Sequence, residues 1–343
     1  MGRGLFKEGF EKRWNIKIKV MKTALVCGAG GFFGSHLVKR LKRDSYYVIG
    51  VDLKYPEFAK SEADVFFIMD LRNPSAVQYL FNRYTIDEVY QLAADLGGAG
   101  YILTGEHDAD IISNSALINL NIAKKASKMG VGKLFFPSST CVYPALNQMY
   151  SDPTKDVAYP AQPDNEYGWE KLFSERVYQA HQRNYGLDIR IARLHGIFGP
   201  EGAWEGGKEK APAAMCREVA KAKNGGVVNV WGSGEQTRSY LYIEECLDAV
   251  RMLMDSSQSF QPLNIGAEES VSINQLVKMI IEISGKDLTI NHVEGPSGVT
   301  NSFSDNRLAY QKLNWKPSYS LVKGLEQTYE WIHTQIYDQY REK

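Results

Sequence analysis

The stretch Thr23-Ala24-Leu25-Val26-Cys27-Gly28-Ala29-Gly30-Gly31-Phe32-Phe33-Gly34 decides the fold of this chain. A short apolar run enters a glycine cluster, and Phe33, Leu37, Val38 and Leu41 then recur at helical spacing. The order is therefore strand, glycine turn, helix. Such a turn serves phosphates through its backbone. Gly28 permits the tight turn, Gly31 lets the chain approach a pyrophosphate, and Gly34 lets the helix pack on the sheet with its N-terminus toward the negative charge. The next apolar run, Tyr47 to Val51, ends at Asp52, eighteen residues beyond Gly34. A carboxylate there suits a ribose with free hydroxyls and repels a 2′-phosphate, so NAD is expected in preference to NADP.

Outward from this unit the alternation continues. Val65 to Asp70, Glu88 to Ala94, Lys133 to Phe136 and Asp188 to Arg193 read as the third to sixth strands, separated by helical stretches. Their apolar runs are continuous rather than alternating, which implies strands covered on both faces and hence a parallel sheet. The helix spanning about Ile111 to Met129 carries Asn114 and Asn121 among apolar positions, a pattern compatible with partner packing as well as with a core. After Gly199-Pro200 the alternation stops. A Gly- and Lys-rich stretch leads to a helix near Ala213 to Lys223 and a strand Val227 to Trp231. The expected architecture is a Rossmann-type, doubly wound α/β domain with a smaller interlaced C-terminal α/β domain. The first takes residues 21–195 and about 239–262; the second takes about 196–238 and 263–343. Residues 1–20 read as an extension packed on the surface.

The 343 residues are 44% hydrophobic, enough for a substantial core, and forty basic residues balance forty acidic ones. No global field exists to hold nucleic acid or an anionic membrane. Cys27, Cys141, Cys216 and Cys246 are scattered without C-x-x-C spacing, and no signal peptide or long apolar run is recognisable. These features favour a reducing cytoplasm, no structural metal and no membrane.

The chemistry is sought at Ser138-Ser139-Thr140-Cys141, after the fifth strand, and at Tyr167-Gly168-Trp169-Glu170-Lys171. Tyr167 and Lys171 are four apart and share one helix face. An ammonium beside a phenol is expected to lower its pKa, so that the phenolate can take a proton from a substrate hydroxyl as hydride leaves to a nicotinamide.

With these residues the chain resembles the extended short-chain dehydrogenase/reductase family over essentially residues 21 to 340. The resemblance rests on Gly28 to Gly34, Leu92-Ala93-Ala94, Ser138-Ser139, Tyr167 with Lys171, Gly199-Pro200 and Gly232-Ser233-Gly234-Glu235-Gln236-Thr237-Arg238. It implies that Ser139 hydrogen-bonds the reacting hydroxyl, Tyr167 is the base, and Lys171 binds the nicotinamide ribose. It also implies that Phe32, Phe33, Asp70, Leu71, Leu92, Ala93 and Ala94 line the cofactor. The substrate would be a nucleoside-diphosphate sugar, with Arg238 on the diphosphate and a homodimer formed through the helices near 111–129 and 165–183.

Within that family the chain is most similar to the GDP-mannose 3,5-epimerases. The matching strings are Ala94 to Ile102, the Cys141 loop, Arg193-Leu194-His195-Gly196-Ile197-Phe198-Gly199-Pro200 and Trp204 to Ala214. The similarity implies that Cys141 and Lys210 are an acid/base pair and that Gly98, Ala99 and His195 lie against the sugar. Oxidising C4 to a ketone acidifies the hydrogens on C3 and C5, and a thiol with an amine can then exchange them. A related GDP-hexose or GDP-heptose would suit the same site. One departure concerns the loop Val299 to Asn306, which lacks the arginines those epimerases place on the diphosphate and leaves the nucleotide open.

Plainer readings stand beside these. A lone cysteine is ordinarily inert packing, a lysine in a Lys/Glu-rich loop is ordinarily solvated, and His195 fits a satisfied strand-end histidine as well as a sugar contact. Arg217 reads as a solvated helix residue. A nucleotide-sugar 4-epimerase or 4-dehydrogenase needs Ser139, Tyr167 and Lys171 but neither Cys141 nor Lys210. A noncatalytic NAD-binding regulator needs only the fold.

Overall fold

The computed structural model describes residues 21–144, 158–258, 261–295, 301–302 and 304–341. The expected extension at 1–20 lies outside them. Among the described residues the centre is a seven-stranded parallel sheet in the order β11-β6-β5-β4-β1-β2-β3. Its strands are β1 (Thr23–Cys27), β2 (Tyr47–Asp52), β3 (Val65–Ile68), β4 (Glu88–Gln91), β5 (Lys133–Ser139), β6 (Ile189–Leu194) and β11 (Leu263–Ile265). Connecting helices are α1 (Phe32–Arg43), α2 (Pro74–Arg83), the short α3 (Ala99–Ile102), α4 (Asp108–Met129), α5 (Glu166–Tyr185) and α7 (Ile243–Asp255).

The central residues of β1 and β2 are fully buried, as their unbroken apolar runs require. Leu25, Ile49, Val89, Leu134 and Ile191 pack on one face of the sheet against α2 and α4, while Val26, Val48 and Phe135 face α1 and α7 on the other. The cofactor and substrate residues are therefore drawn to the carboxyl ends of the strands, where such sheets bind ligands.

Several strand boundaries differ from expectation. β3 and β4 stop at Ile68 and Gln91, so Asp70, Leu71 and Leu92 to Ala94 lie in the following turns, where side chains can face a ligand. β5 continues through Pro137 to Ser139 because it stays in register with β6, Ser139 lying opposite Leu194. Leu263–Ile265, expected with the smaller domain, instead pair with Ala192 to Leu194 and form the sheet's edge strand. A three-residue strand shows no periodicity, and only its neighbour in space reveals it.

The remaining elements are β7 (Ile197–Phe198), α6 (Ala211–Lys221), β8 (Val227–Trp231), β9 (Thr237–Ser239), β10 (Leu241–Tyr242), β12 (Ser270–Ser272), α8 (Ile273–Ser284), β13 (Thr289–Val293), β14 (Asn301–Ser302), α9 (Arg307–Leu313) and α10 (Leu321–Arg341). β14 runs parallel to β9, with Asn301 opposite Thr237 and Ser302 opposite Arg238. α6 packs against α8 and α10, and α8 begins in a capping box of Ser272 with Gln275.

Candidate active site

A single cavity of about 960 Å³ runs from the β1 glycine turn to the loop before α6. That volume lies at the upper end for ligand sites, as two ligands bound side by side require. At the β1 end, a Cβ on Gly34 would stand 2.0 Å from the Gly28 carbonyl oxygen, so only glycine lets α1 start against the turn. A Cβ on Gly31 would meet nothing nearer than 3.5 Å. Protein packing thus leaves Gly31 free, and its backbone faces the cavity at the N-cap of α1. Asp52 accepts the Gly30 N–H at 2.9 Å and the Leu53 N–H at 2.6 Å, which aims its carboxylate into the same space. A backbone cradle at a helix N-terminus beside a fixed carboxylate fits the pyrophosphate and ribose of NAD.

Phe32, Phe33, Asp70, Leu71, Leu92, Ala93 and Ala94 line this half of the cavity together with Gly28, Gly31, Gly34 and Asp52. Asp70 is gripped by Arg72, whose Nε and Nη2 donate to it at 2.7 to 3.0 Å. Those bonds hold its carboxyl below the ordinary range. Arg72 also donates to Asn114, and Asn114 to Asp95.

The reacting end is assembled from β5, α5 and α6. Ser139 ends β5 and caps the single 3-10 turn Thr140–Val142, its Oγ accepting the Cys141 N–H at 3.2 Å. Asn165 caps α5 by accepting the Gly168 N–H at 2.9 Å, which sets Tyr167 and Lys171 one turn apart on the inner face. Gly168 is dictated by the approach of these two elements: a Cβ there would lie 2.2 Å from the Cys141 carbonyl oxygen. Lys210 is the N-cap of α6, whose start is set by Pro212. Lys210 lines the cavity, exposed to its space yet surrounded by protein atoms.

The electrostatics correct one expectation. Tyr167 is raised, not lowered: burial dominates and the nearby Cys141 adds to it, with only the Ser139 hydroxyl opposing. Lys171 stands 5.6 Å from the Tyr167 ring centroid and donates to the Pro137 carbonyl at 3.2 Å. Its ammonium is therefore directed at the backbone rather than at the phenol oxygen, and burial lowers its own pKa. Burial likewise raises the Cys141 thiol, opposed by Ser139, Lys210 and Arg238, and lowers Lys210, opposed by Cys141 and Cys246. Both groups are pushed toward their neutral forms, and each feels the other's charge.

Of the remaining expected contacts, Gly98, His195 and Arg238 line the cavity. Ala99 opens α3, directly after Gly98. Burial lowers Arg238, and Asp164, which the sequence did not single out, faces it across the cavity. His195 is nearly wholly buried, and its Nε2 lies 3.4 Å from the Asn264 Oδ1. His195 is thus at once buried and part of the cavity wall. Cys27, Cys216 and Cys246 are buried free thiols. Residues 299, 300 and 303 of the loop that lacks arginines lie outside the described residues. Arg307, which follows it, chelates Asp305.

Also unforeseen is a buried relay behind Ser139. Ser138 Oγ donates to Glu175 Oε1 at 2.5 Å, and Arg193 clasps both Glu175 oxygens at 2.9 and 2.7 Å. Arg193 also reaches Tyr143 Oη, which donates to Asn264 at 2.7 Å. The available signal was Glu175 one turn beyond Lys171, a polar residue on the inward face of α5. Arg217, expected in solvent, is instead paired with Glu209 and Glu218.

The chain is similar to known proteins. The chain is 38% identical over 315 residues to GDP-mannose 3,5-epimerase 1 of Oryza sativa subsp. indica, covering 91% of this chain and 82% of that one. It is 38% identical over 334 residues to GDP-mannose 3,5-epimerase of Arabidopsis thaliana, covering 95% and 85%. Among solved structures, UDP-glucose 4-epimerase of Thermotoga maritima with UDP-glucose superposes with a TM-score of 0.82 at 26% identity, covering 92% of this chain and 99% of that one. The NAD dependent epimerase/dehydratase family profile matches residues 24–266. With the nucleotide cradle, the seven-stranded sheet and this match in agreement, the chain belongs to the NAD-dependent epimerase/dehydratase family.

Proposed function

We propose that this chain is a GDP-mannose 3,5-epimerase. The observation that carries the proposal is the meeting of Cys141 and Lys210 in the cavity that also holds Ser139, Tyr167 and Lys171. A protonated thiol and an amine disposed to lose its proton are the acid and base that inversion at a carbon acid needs.

Gly31, Asp52, Asp70 and Lys171 would hold NAD, which when bound would supply an acceptor for the C4 hydride and its return. Tyr167 takes the proton of the C4 hydroxyl while Ser139 hydrogen-bonds the same oxygen. The resulting ketone acidifies C3 and C5, because each carbanion is an enolate. At each centre Lys210 removes the proton as a neutral amine and the Cys141 thiol delivers one to the opposite face; the ammonium and thiolate so formed exchange protons with solvent, which restores the pair for the second centre. Tyr167 finally returns its proton to the C4 oxygen. Arg238 meets the diphosphate. Incubation with GDP-mannose in deuterated water tests the scheme: deuterium appears at C3 and C5, and its absence from both sinks the assignment.

A nucleotide-sugar 4-epimerase is the second reading, favoured by the superposition on the Thermotoga enzyme. It has no use for Cys141 or Lys210. We also place the nucleotide-sugar half in residues 196–238 and 263–343, apart from the edge strand β11. The scattered free thiols support a cytoplasmic setting, and among the described residues no helix is long and apolar enough to cross a membrane. A homodimer through α4 and α5 is supported by Leu117, Leu120, Trp169 and Phe173, which these two packed helices leave exposed. A monomer in light scattering would remove that element.

A further inference from the structure

The loop from Gly202 to Lys210 contains neither helix nor strand, yet it presents Lys210 to the cavity. Its end is held by α6, where Ala214 N–H donates to the Lys210 carbonyl at 2.9 Å. Arg217, about two turns along the same helix, reaches back over the loop. Its Nη1 donates to Glu209 Oε1 at 2.5 Å and to the Trp204 carbonyl at 2.9 Å. Glu209 Oε2 in turn accepts the Gly207 N–H at 2.7 Å. One guanidinium thereby ties the loop at Trp204 and at Glu209, the latter adjacent to Lys210.

The opposite side of the loop is met by the segment that leads into α3. Gly98 N–H donates to the Lys208 carbonyl at 3.0 Å, and the Lys208 ammonium lies 4.1 Å from the Tyr101 ring centroid. Tyr101 is itself anchored on Asp95 at 2.9 Å. The Glu209 and Arg217 side chains are 11% and 17% exposed, and neither residue lines the cavity. Neither is therefore placed to touch a substrate. Burial acts to raise the Glu209 carboxyl, but the hydrogen bonds and charge of Arg217 outweigh it and hold the group ionised. The pair stays charged and directional in a half-buried setting, where the planar fork of arginine is not replaced by lysine.

We propose that Arg217 is a positioning residue for proton transfer at Lys210: clamped on Glu209 and the Trp204 carbonyl, it fixes the backbone from which the Lys210 amine enters the cavity. The proton-transfer role rests on the epimerase reading above; the clamp does not. Displacing a catalytic group by about 1 Å can cost on the order of a hundredfold in rate.

The test uses the full-length protein and two variants, Arg217→Gln and Arg217→Lys. Backbone amide exchange followed by mass spectrometry needs no substrate. It should quicken in residues 202–210 of Arg217→Gln and remain unchanged in α1 and α5. Unchanged exchange in 202–210, or equal quickening throughout, overturns the clamp. With GDP-mannose in deuterated water, Arg217→Gln should lose roughly 10- to 100-fold in deuterium incorporation at C3 and C5. C4 oxidation, followed by nicotinamide absorbance, should stay within roughly twofold, with Arg217→Lys intermediate in incorporation. Equal loss in both steps, or loss in neither, overturns the positioning role. Failure of the unaltered protein to exchange at all counts against GDP-mannose as the substrate, while the amide measurement still decides the clamp.

Discussion

Replacing His195 with glutamine should flatten the acid side of this protein's stability profile. His195 is 2% exposed, and its Nδ1 has no hydrogen-bond partner among the described residues. Nε2 faces Asn264 Oδ1, which already accepts Tyr143 Oη, while Asn264 Nδ2 donates to the Asp305 carbonyl. This fixes the amide and makes Nε2 the protonated nitrogen. Charging the ring would add a buried N–H with no acceptor, close to the Arg193 guanidinium. Burial, with that guanidinium, therefore lowers the pKa from 6.5 to about 4. The sign follows directly. The unfolded chain takes up the proton below 6.5 and the folded chain does not until about 4, so stability present above 6.5 is lost as pH falls through that window. Each pH unit there is worth about 1.4 kcal/mol, and the whole interval amounts to about 3 kcal/mol. Denaturant unfolding measured from about pH 7 down to about pH 4 gives the profile for both proteins. Other titrating groups act equally in the two, so the difference in slope isolates His195. Parallel profiles, even with a constant offset, would refute the reasoning.

Cys141→Ala should leave C4 oxidation of GDP-mannose detectable by nicotinamide absorbance while lowering deuterium incorporation at C3 and C5 by roughly 10²- to 10⁴-fold, the usual worth of a general acid; retained incorporation would favour a 4-epimerase. Glu175→Gln removes the charge that Arg193 clasps from both sides, and calorimetry should show a loss of about 3 to 5 kcal/mol. A change below about 1 kcal/mol would mean that the pair is solvated in solution. Gly34→Ala, whose Cβ would press on the Gly28 carbonyl, should cost about 1 to 3 kcal/mol of stability. Gly31→Ala should cost under about 1 kcal/mol yet reduce NAD retention in equilibrium dialysis, and equal NAD retention by Gly31→Ala and the unaltered protein would remove Gly31 from the cradle.

The sequence by itself determined the scaffold, because its signals are local. An apolar run, a glycine cluster and a helical repeat lie within one short segment, and each imposes its geometry without help from the rest of the chain. Asp52 at the end of β2, Ser139 shortly after the apolar run of β5, and Tyr167 with Lys171 on one face of α5 follow from the same strand and helix periods. Cys141 and Lys210 were singled out only through resemblance, since nothing local joins two residues so far apart.

Tertiary structure alone decided what depends on distance and burial. Spacing placed Lys171 beside Tyr167, but the ammonium turns to the Pro137 carbonyl and the phenol is governed by desolvation. Arg217 looked like any solvated helix residue until the loop folded back onto it. Leu263–Ile265 became part of the sheet because β6 offered an unpaired edge. Hydrogen bonds and charge interactions act over a few ångströms of space, whereas a sequence records separation along the chain.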